Sequence, residues 1–202
     1  MRFDVLDHAD GRPVVLGHDW GEKLRRELFA KVRQLADGDT VEISFAGVEI
    51  VSTLTVSVFL ASLLDARRDE RPQVGIVVTN LNEDQQDIIV KCLEYGSTSA
   101  GPLFVVCRRE NNELALLGRV DATTRSTWDV ACRLKEFRAV DLAAALGLSP
   151  QLANNRLARL IRVGALVRSA TTAESGVREF LYALPPLPRE VMRRERRKLH
   201  AG

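Results

Sequence analysis

The chain of 202 residues is 46% hydrophobic and 28% charged, with a formal net charge of +2. These values are ordinary for a soluble globular protein and exclude a largely disordered chain. No apolar run approaches the roughly 18 residues that a membrane-spanning helix needs, and residues 1–10 lack a signal-peptide pattern. Three cysteines at distant positions predict neither a disulfide framework nor a zinc site. We therefore expect a cytoplasmic protein that does not contact a membrane.

The charge is divided unequally along the chain. Residues 1–110 hold 13 basic and 18 acidic side chains, a net charge of −5, whereas residues 111–202 hold 16 basic and 9 acidic side chains, a net charge of +7. This asymmetry predicts two modules, of which the basic one suits a polyanion. We expect an acidic domain over 1–110, a basic domain over 111–185 and a basic tail over 186–202.

Hydrophobic periodicity in the first half alternates between helix and strand. Val41, Ile43 and Phe45 alternate with polar residues in the manner of a strand, and the β-branched run at 74–79 is typical of a central strand. The predicted order is strand 13–16, helix 22–36, strand 40–45, helix 54–66, strand 74–79, helix 82–93 and strand 103–106. Such an order predicts an α/β sandwich in which helices cover a small sheet.

The second half is predicted to be mainly helical, so that the fold class is α/β followed by α. Residues 113–120 fit either a strand or a linker. A helix is predicted over 124–136, with Trp128 on its buried face. A shorter apolar helix follows over 140–146 and ends at Gly147.

The next helix has clear start and stop signals. Ser149 is expected as its N-cap, Pro150 fits the first helical position, and Gly164 ends it. Strand patterns at 166–168 and 177–184 then flank a small polar loop, which predicts a β-hairpin. Two helices followed by a hairpin are the arrangement of a winged helix-turn-helix.

The helix after Ser149 has an apolar stripe of Ala153, Leu157, Leu160 and Ile161. Its other faces carry amides and arginines but no carboxylate, a composition that suits entry into the major groove of DNA. Amide side chains pair with adenine, and arginine pairs with guanine or phosphate. The expected DNA-binding residues are Gln151, Asn154 and Asn155 for bases, Arg156 for guanine or phosphate, and Arg159, Arg162, Arg168 and Arg178 for phosphates.

The tail at 186–202 is strongly basic, with six Lys and Arg against two Glu. One interpretation is an arm that lies along the phosphate backbone and adds salt-dependent affinity. The other is a solubilising terminus that touches nothing. The charge pattern does not distinguish the two.

The run SPQLANNRLARLIRVGAL, from Ser149 to Leu166, resembles the recognition helix and following turn of winged helix-turn-helix transcription regulators. The resemblance extends over 139–184, about a quarter of the chain. It implies DNA binding by this helix and the hairpin, although some winged-helix domains bind protein instead.

The run VEISFAGVEIVSTLTVSVFLASLL, from Val41 to Leu64, resembles STAS-like domains, which are α/β modules related to anti-sigma factor antagonists. In such antagonists a partner kinase phosphorylates a loop serine at the start of a helix, and the matching positions here are Ser52 and Thr53. Val51 stands where the usual pattern has an acidic residue, so the likeness is to divergent STAS-like domains. Ser52 and Thr53 are thus expected to accept phosphate or bind an anion, or simply to cap the helix.

Patterns for catalysis are missing from the sequence. It contains no phosphate-binding G-x-x-x-x-G-K, no G-x-G-x-x-G and no nucleophile elbow, and its three histidines fit no metal-binding spacing. We therefore expect a protein that is not an enzyme and that needs no metal or cofactor.

Together these patterns predict a regulator of transcription. The STAS-like domain is expected to sense a regulatory protein partner or to pair two chains, and the winged helix-turn-helix is expected to read double-stranded DNA. Homodimerisation is expected because pairing adds affinity and sets half-site spacing. One alternative is a protein-interaction switch whose winged helix docks protein. Another is a sensor of a nucleotide or small molecule with a pocket in the α/β half.

Overall fold

A computed structural model describes residues 1–71, 73–95, 104–109, 111–172 and 178–186. The elements of the first part are β1 (Arg2–Asp4), α1 (Val5–His8), β2 (Val14–Val15), α2 (His18–Val32), β3 (Thr40–Ser44), β4 (Ile50–Val51), α3 (Thr53–Val56), a π-helical segment (Ser57–Ala61), α4 (Ser62–Glu70), β5 (Gly75–Thr79), α5 (Glu83–Tyr95), β6 (Phe104–Arg108) and β7 (Leu114–Gly118). The C-terminal unit follows, comprising α6 (Ala122–Leu134), β8 (Glu136–Arg138), α7 (Ala139–Leu146), α8 (Pro150–Arg162), β9 (Val167–Thr172) and β10 (Arg178–Ala183).

The central sheet has the strand order β1-β3-β5-β6-β7. The first four strands are parallel, and β7 pairs antiparallel with β6. The architecture is therefore mixed α/β with a mostly parallel sheet, compatible with the predicted α/β and α composition. Residues 114–118, which fit either a strand or a linker in the sequence, form the edge strand. The sheet thus continues past residue 110.

Several strands differ from the sequence-based prediction. β4 and β8 were not predicted, and the helix predicted over 124–136 ends at Leu134 because 136–138 form β8. β1 was not predicted, because three residues at the start of the chain are too short to show a period; its pairing with β3 places Phe3 beside Ile43. The predicted strand at 13–16 shrinks to the two residues of β2, which pairs with β4 outside the central sheet.

Helices cover one face of the sheet. Ile76 and Val78 of β5 point into one core. The helices α2, α4 and α5 contribute Leu28, Leu63 and Ile89 to the same core. The predicted helix over 54–66 is part of a longer run, in which α3 continues through the π-helical segment into α4.

The C-terminal unit covers the opposite face of the same sheet. Val77, Phe104 and Val106 pack in a second core with Trp128 of α6 and Leu160 of α8. Alternate residues of β5 and β6 therefore point to different cores, as the period of two along a strand requires. Burial on both faces explains the continuous apolar run in β5.

The fully buried arginine Arg67 joins the two cores. Arg67 of α4 is fully buried, and its Nε donates to the carbonyl of Val74 at 2.6 Å. Its Nη1 donates to the carbonyls of Ile161 and Arg162, at 2.8 and 2.7 Å, at the end of α8. The last carbonyls of a helix lack intrahelical partners and carry partial negative charge, so a cation is favourable there. Burial lowers the pKa of Arg67 to about 10, which leaves the guanidinium charged at neutral pH.

Gly164 makes this close approach feasible. Its φ of +76° is unfavourable for residues with a Cβ atom, and an added Cβ would lie 3.0 Å from the backbone nitrogen of Ile76 and 3.3 Å from Cζ of Arg67. The carbonyl of Gly164 also accepts a hydrogen bond from the Ile76 N–H at 3.2 Å. The end of α8 is therefore bonded directly to the start of β5.

We expect Arg67→Met to destabilise the protein by about 2–4 kcal/mol, because buried carbonyls lose charged hydrogen-bond donors. Urea unfolding at equilibrium measures this change. Arg68→Met is the matched control. Arg68 forms ion pairs with Asp65 and Asp69 that are partly exposed to solvent, so this variant should lose less than about 1 kcal/mol of stability. Equal destabilisation by the two variants would contradict the role of Arg67.

Candidate nucleic-acid interface

The helix α8 forms as its sequence predicts. Ser149 is the N-cap, its Oγ accepts a hydrogen bond from the N–H of Leu152 at 3.3 Å, and Pro150 occupies the first turn. The predicted stripe is buried in the second core and consists of Ala153, Leu157, Leu160 and Ile161. The turn before the helix contains Gly147 in the left-handed conformation, with φ +63°.

The opposite side of α8 is exposed and carries Gln151, Asn154, Asn155 and Arg162, which we term the recognition face. Gln151 and Asn155 lie one turn apart, and the Gln151 amide donates to the Asn155 carbonyl oxygen over 3.5 Å. Both amides remain open to solvent, so their donor and acceptor atoms can reach a ligand. The recognition face contains no acidic side chain.

A groove of about 590 Å³ borders the C-terminal half of this face. Asn155 and Arg162 line it from α8, Phe180 from the hairpin, and Arg68 and Gln73 from the α/β half. Each part of the protein therefore contributes to one continuous surface. The sequence offered no sign that Arg68 and Gln73 would lie here, because they belong to the acidic half.

Arg168 is held within this groove. Its Nε donates to Oε1 of Gln73 at 3.0 Å, and its guanidinium lies 4.5 Å from the centre of the Phe180 ring. Arg168, which was predicted to bind phosphate, thus already uses part of its guanidinium in a contact between the two halves.

Two other predicted arginines on α8 are less accessible than Arg162. Arg159 forms an ion pair with Asp121 over 2.7 Å, and Arg156 is half-buried. Asp121 is also the N-cap of α6 and accepts hydrogen bonds from the N–H and hydroxyl of Thr124. These hydrogen bonds lower the pKa of Asp121, and the bond from the Thr124 N–H has the largest effect. The charge of Arg159 lowers this pKa further, and desolvation offsets part of the lowering.

The remaining predicted contacts depend on the hairpin and the tail. β9 and β10 pair antiparallel as predicted, with Ser169 opposite Leu181. The backbone of Arg178 lies at the start of β10, but its side chain is outside the described residues. The loop tip at 173–177 and the tail from 187 to 202 are also outside them.

Ser52 and Thr53 lie at the start of α3, far from α8 along the chain. The Oγ of Ser52 accepts hydrogen bonds from the N–H groups of Thr55 and Gly17, at 3.1 and 3.2 Å, so Ser52 caps the helix. Its hydroxyl also shares a hydrogen bond of 2.8 Å with the hydroxyl of Thr55. Thr53 is exposed in the first turn.

An exposed apolar patch surrounds this position. It consists of Val14, Leu16, Ile50 and Leu54, whose exposed fractions are 39, 50, 53 and 52%. Val14 and Ile50 are directly opposite each other in the pairing of β2 with β4. Sequence periodicity missed this patch because its members are distant in sequence and β2 and β4 have two residues each.

Comparisons of the chain with known protein families, curated proteins and solved structures give no match. Across the described ranges, none of the helices is long and apolar enough to cross a membrane. The same ranges contain no group of three His, Cys, Asp or Glu side chains arranged to hold a metal ion.

Asp121→Asn should reveal, through its dependence on pH, the contribution of the Asp121 charge, which accepts the hydrogen bonds of Thr124 and pairs with Arg159. Asparagine retains a capping oxygen but loses the charge, so at neutral pH the cost should be below about 1 kcal/mol. Because the pKa of Asp121 is lowered in the folded state, its contribution is present above the unfolded pKa of about 3.9 and is lost as the pH falls through the folded value. Urea unfolding of the unmodified protein and of the variant, from neutral to acidic pH, measures the difference in their free energies of unfolding. A difference that persists undiminished at acidic pH would contradict the assignment.

Proposed function

We propose that this protein is a cytoplasmic, DNA-binding regulator of transcription that acts by binding and not by catalysis. The observation that carries the proposal is the recognition face of α8, where amides and one arginine are exposed together without an acidic neighbour on the helix. Amide and guanidinium groups match the hydrogen-bonding pattern of base edges and phosphates in the major groove.

The order of elements in the C-terminal unit supports a winged helix-turn-helix. Three helices and a three-stranded sheet of order β8-β10-β9 follow one another as α6, β8, α7, α8, β9 and β10. In this proposal α7 and α8 are the helix-turn-helix, and the β9–β10 hairpin is the wing. The N-terminal residues of a recognition helix contact bases, so Gln151 and Asn155 are proposed to read bases.

The arginines of the unit receive different roles under this proposal. Arg162 is exposed and is proposed to bind phosphate. Arg159 and Arg168 would first have to give up their contacts with Asp121 and Gln73. Phosphate contacts from the hairpin are proposed to come from Arg178, and the tail is proposed to add a sequence-independent term.

The α/β half is proposed to be a STAS-like module that pairs two chains through the apolar patch. Contiguous exposed apolar side chains are typical of protein interaction sites. Two-fold pairing through one self-complementary patch would present two copies of α8 to DNA. Because Arg67 bonds α8 to the α/β half, the spacing of the two helices would follow from the geometry of pairing.

A protein-docking role for the C-terminal unit is the second candidate. It is favoured by two exposed apolar side chains on the helix pair, Val140 at the start of α7, 51% exposed, and Leu152 in the first turn of α8, 43% exposed. A docking surface of this kind would bind through apolar contacts and would not require the amides of the recognition face.

The double variant Asn155→Ala/Arg162→Ala should lose most affinity for duplex DNA. Each base-specific amide contact is worth about 1–3 kcal/mol, and loss of one phosphate contact should reduce the slope of log K against log [salt] by about 1. Fluorescence anisotropy on a random-sequence duplex at several salt concentrations measures the phosphate contribution, and duplexes selected for binding measure the base contribution.

The matched control is Arg133→Ala, which removes an exposed arginine from α6 without touching the recognition face. It should leave affinity nearly unchanged. Failure of the unmodified protein to bind any duplex at low salt would rule out DNA reading and leave the protein-docking candidate.

Ile50→Glu/Leu54→Glu should convert a homodimer into a monomer, because two carboxylates would be buried in an apolar interface. Sedimentation equilibrium of the full chain measures the mass. Val140→Glu, an equally exposed apolar position outside the patch, should leave the mass unchanged. If the unmodified chain sediments as a monomer with and without DNA, pairing through the patch is wrong.

A further inference from the structure

A second cavity, of about 1010 Å³, lies outside the carboxyl ends of the parallel strands. Thr79 at the end of β5 and Arg108 at the end of β6 line it, together with residues of the loops that follow them. Loops after parallel strands converge at this edge, which is the usual position of ligands in open α/β sheets. We refer to this space as the carboxyl-edge cavity; the recognition face and the apolar patch do not contribute to it.

Its wall contains two buried charged side chains, Glu42 and Arg108. Their side chains are only 5 and 10% exposed, and Nε of Arg108 lies 3.4 Å from Oε2 of Glu42. That oxygen, together with Nε and Nη2 of Arg108, has no hydrogen-bond partner among the described residues. The two charges therefore face each other as an ion pair, but these buried atoms lack hydrogen bonds, which is costly and calls for a specific explanation.

The unsatisfied atoms of Arg108 have a particular geometry. Nε and Nη2 are adjacent donors on one side of the planar guanidinium, which is the arrangement that binds two oxygens of one carboxylate or phosphate. The nearby Oε2 of Glu42 is an acceptor only, and it requires a donor such as a hydroxyl group. The pair therefore offers a site for an oxyanion next to a site for a hydrogen-bond donor.

The remaining charged groups at the cavity favour an anion. Arg2 and Arg109 also line it, so three arginines face one glutamate among the described residues of the lining. Arg2 is partly neutralised by Asp4, to which its Nε donates at 2.8 Å, but its Nη2 reaches across to the hydroxyl of Ser44. Arg109 is exposed at the rim. With Arg108 paired to Glu42, the charge of Arg109 remains as an excess among the described lining residues.

Four asparagines also line the cavity, at positions 80, 82, 111 and 112. Asn80 and Asn112 have positive φ values of 55° and 64°, which fits tight turns where the chain leaves the sheet. Asn80 donates to the hydroxyl of Ser44 at 3.1 Å, so this turn is connected to Arg2. Amides of this kind provide both donors and acceptors for the hydroxyl groups of a polar ligand.

We propose that the carboxyl-edge cavity binds a small phosphorylated molecule that carries hydroxyl groups, with its phosphate on Arg108 and Arg109 and a hydroxyl on Glu42. A phosphate monoester carries a charge of about −1.5 to −2 at neutral pH, which suits a cavity with excess arginine. Its oxygens satisfy the side-on donors of Arg108, and the hydroxyl satisfies the buried oxygen of Glu42. The site does not depend on DNA binding, so the two proposals fail or succeed separately.

Titration calorimetry and thermal unfolding of the full chain test the proposal, with ribose 5-phosphate as the probe. Ribose, inorganic phosphate and gluconate are the comparison compounds. Ribose 5-phosphate should raise the unfolding temperature in a concentration-dependent manner, because it binds only the folded state. Its affinity should exceed that of each comparison compound, because only it provides both the phosphate and the hydroxyl groups.

Arg108→Lys keeps the charge but removes the side-on pair of donors, and it should weaken binding by about tenfold or more. Arg109→Ala, at the exposed rim, gives a second test that does not disturb the core and should weaken binding by a smaller factor. Arg119→Ala removes an exposed arginine outside the cavity and should leave the affinity unchanged.

Three results would overturn the proposal. The first is the lack of any stabilisation by ribose 5-phosphate at millimolar concentration. The second is equal affinity for inorganic phosphate, which would mean an adventitious ion only, or equal affinity for gluconate, which would exclude phosphate recognition. The third is binding that is unchanged in both Arg108→Lys and Arg109→Ala.

Discussion

The buried guanidinium of Arg67 is the contact on which the arrangement of the two halves depends. It comes from α4 of the α/β half, yet its Nη1 bonds to the last carbonyls of α8. Its Nε and Nη1 donate to three backbone carbonyls, those of Val74, Ile161 and Arg162. Carbonyls at a helix end have a fixed direction, so this contact sets the orientation of α8 more strictly than a flexible surface ion pair could.

The sheet makes the same connection on a larger scale. Its two faces support two cores, one under the helices of the α/β half and one under the C-terminal unit. The C-terminal unit is therefore packed against the sheet and is not joined to it by a linker alone. If it reads DNA as proposed, the recognition face is held to the α/β half through a packed interface. The carboxyl-edge cavity and the contact with Gly164 lie at opposite ends of β5.

Local signals predicted the elements well where a single segment contains the whole pattern. Ser149, Pro150 and the stripe from Ala153 to Ile161 define α8, and the β-branched run defines β5. Prediction failed for β1, β4 and β8, and 114–118 stayed undecided, because short strands have no period of their own and exist only by pairing with a neighbour. The apolar patch and the carboxyl-edge cavity escaped prediction for a related reason: each is assembled from several distant segments.

The arginines mark the division between what the sequence determined and what the tertiary structure decided. By itself, the sequence determined that α8 is an amphipathic helix with amides and arginines off its apolar stripe, because helical spacing is a local property. Only the tertiary structure decided that Arg162 stays exposed, Arg159 pairs with Asp121, Arg168 bonds to Gln73 and Arg67 is buried against carbonyls. All four residues are arginines, so the sequence does not distinguish them. The partner that folding brings within a few ångströms decides the role of each guanidinium.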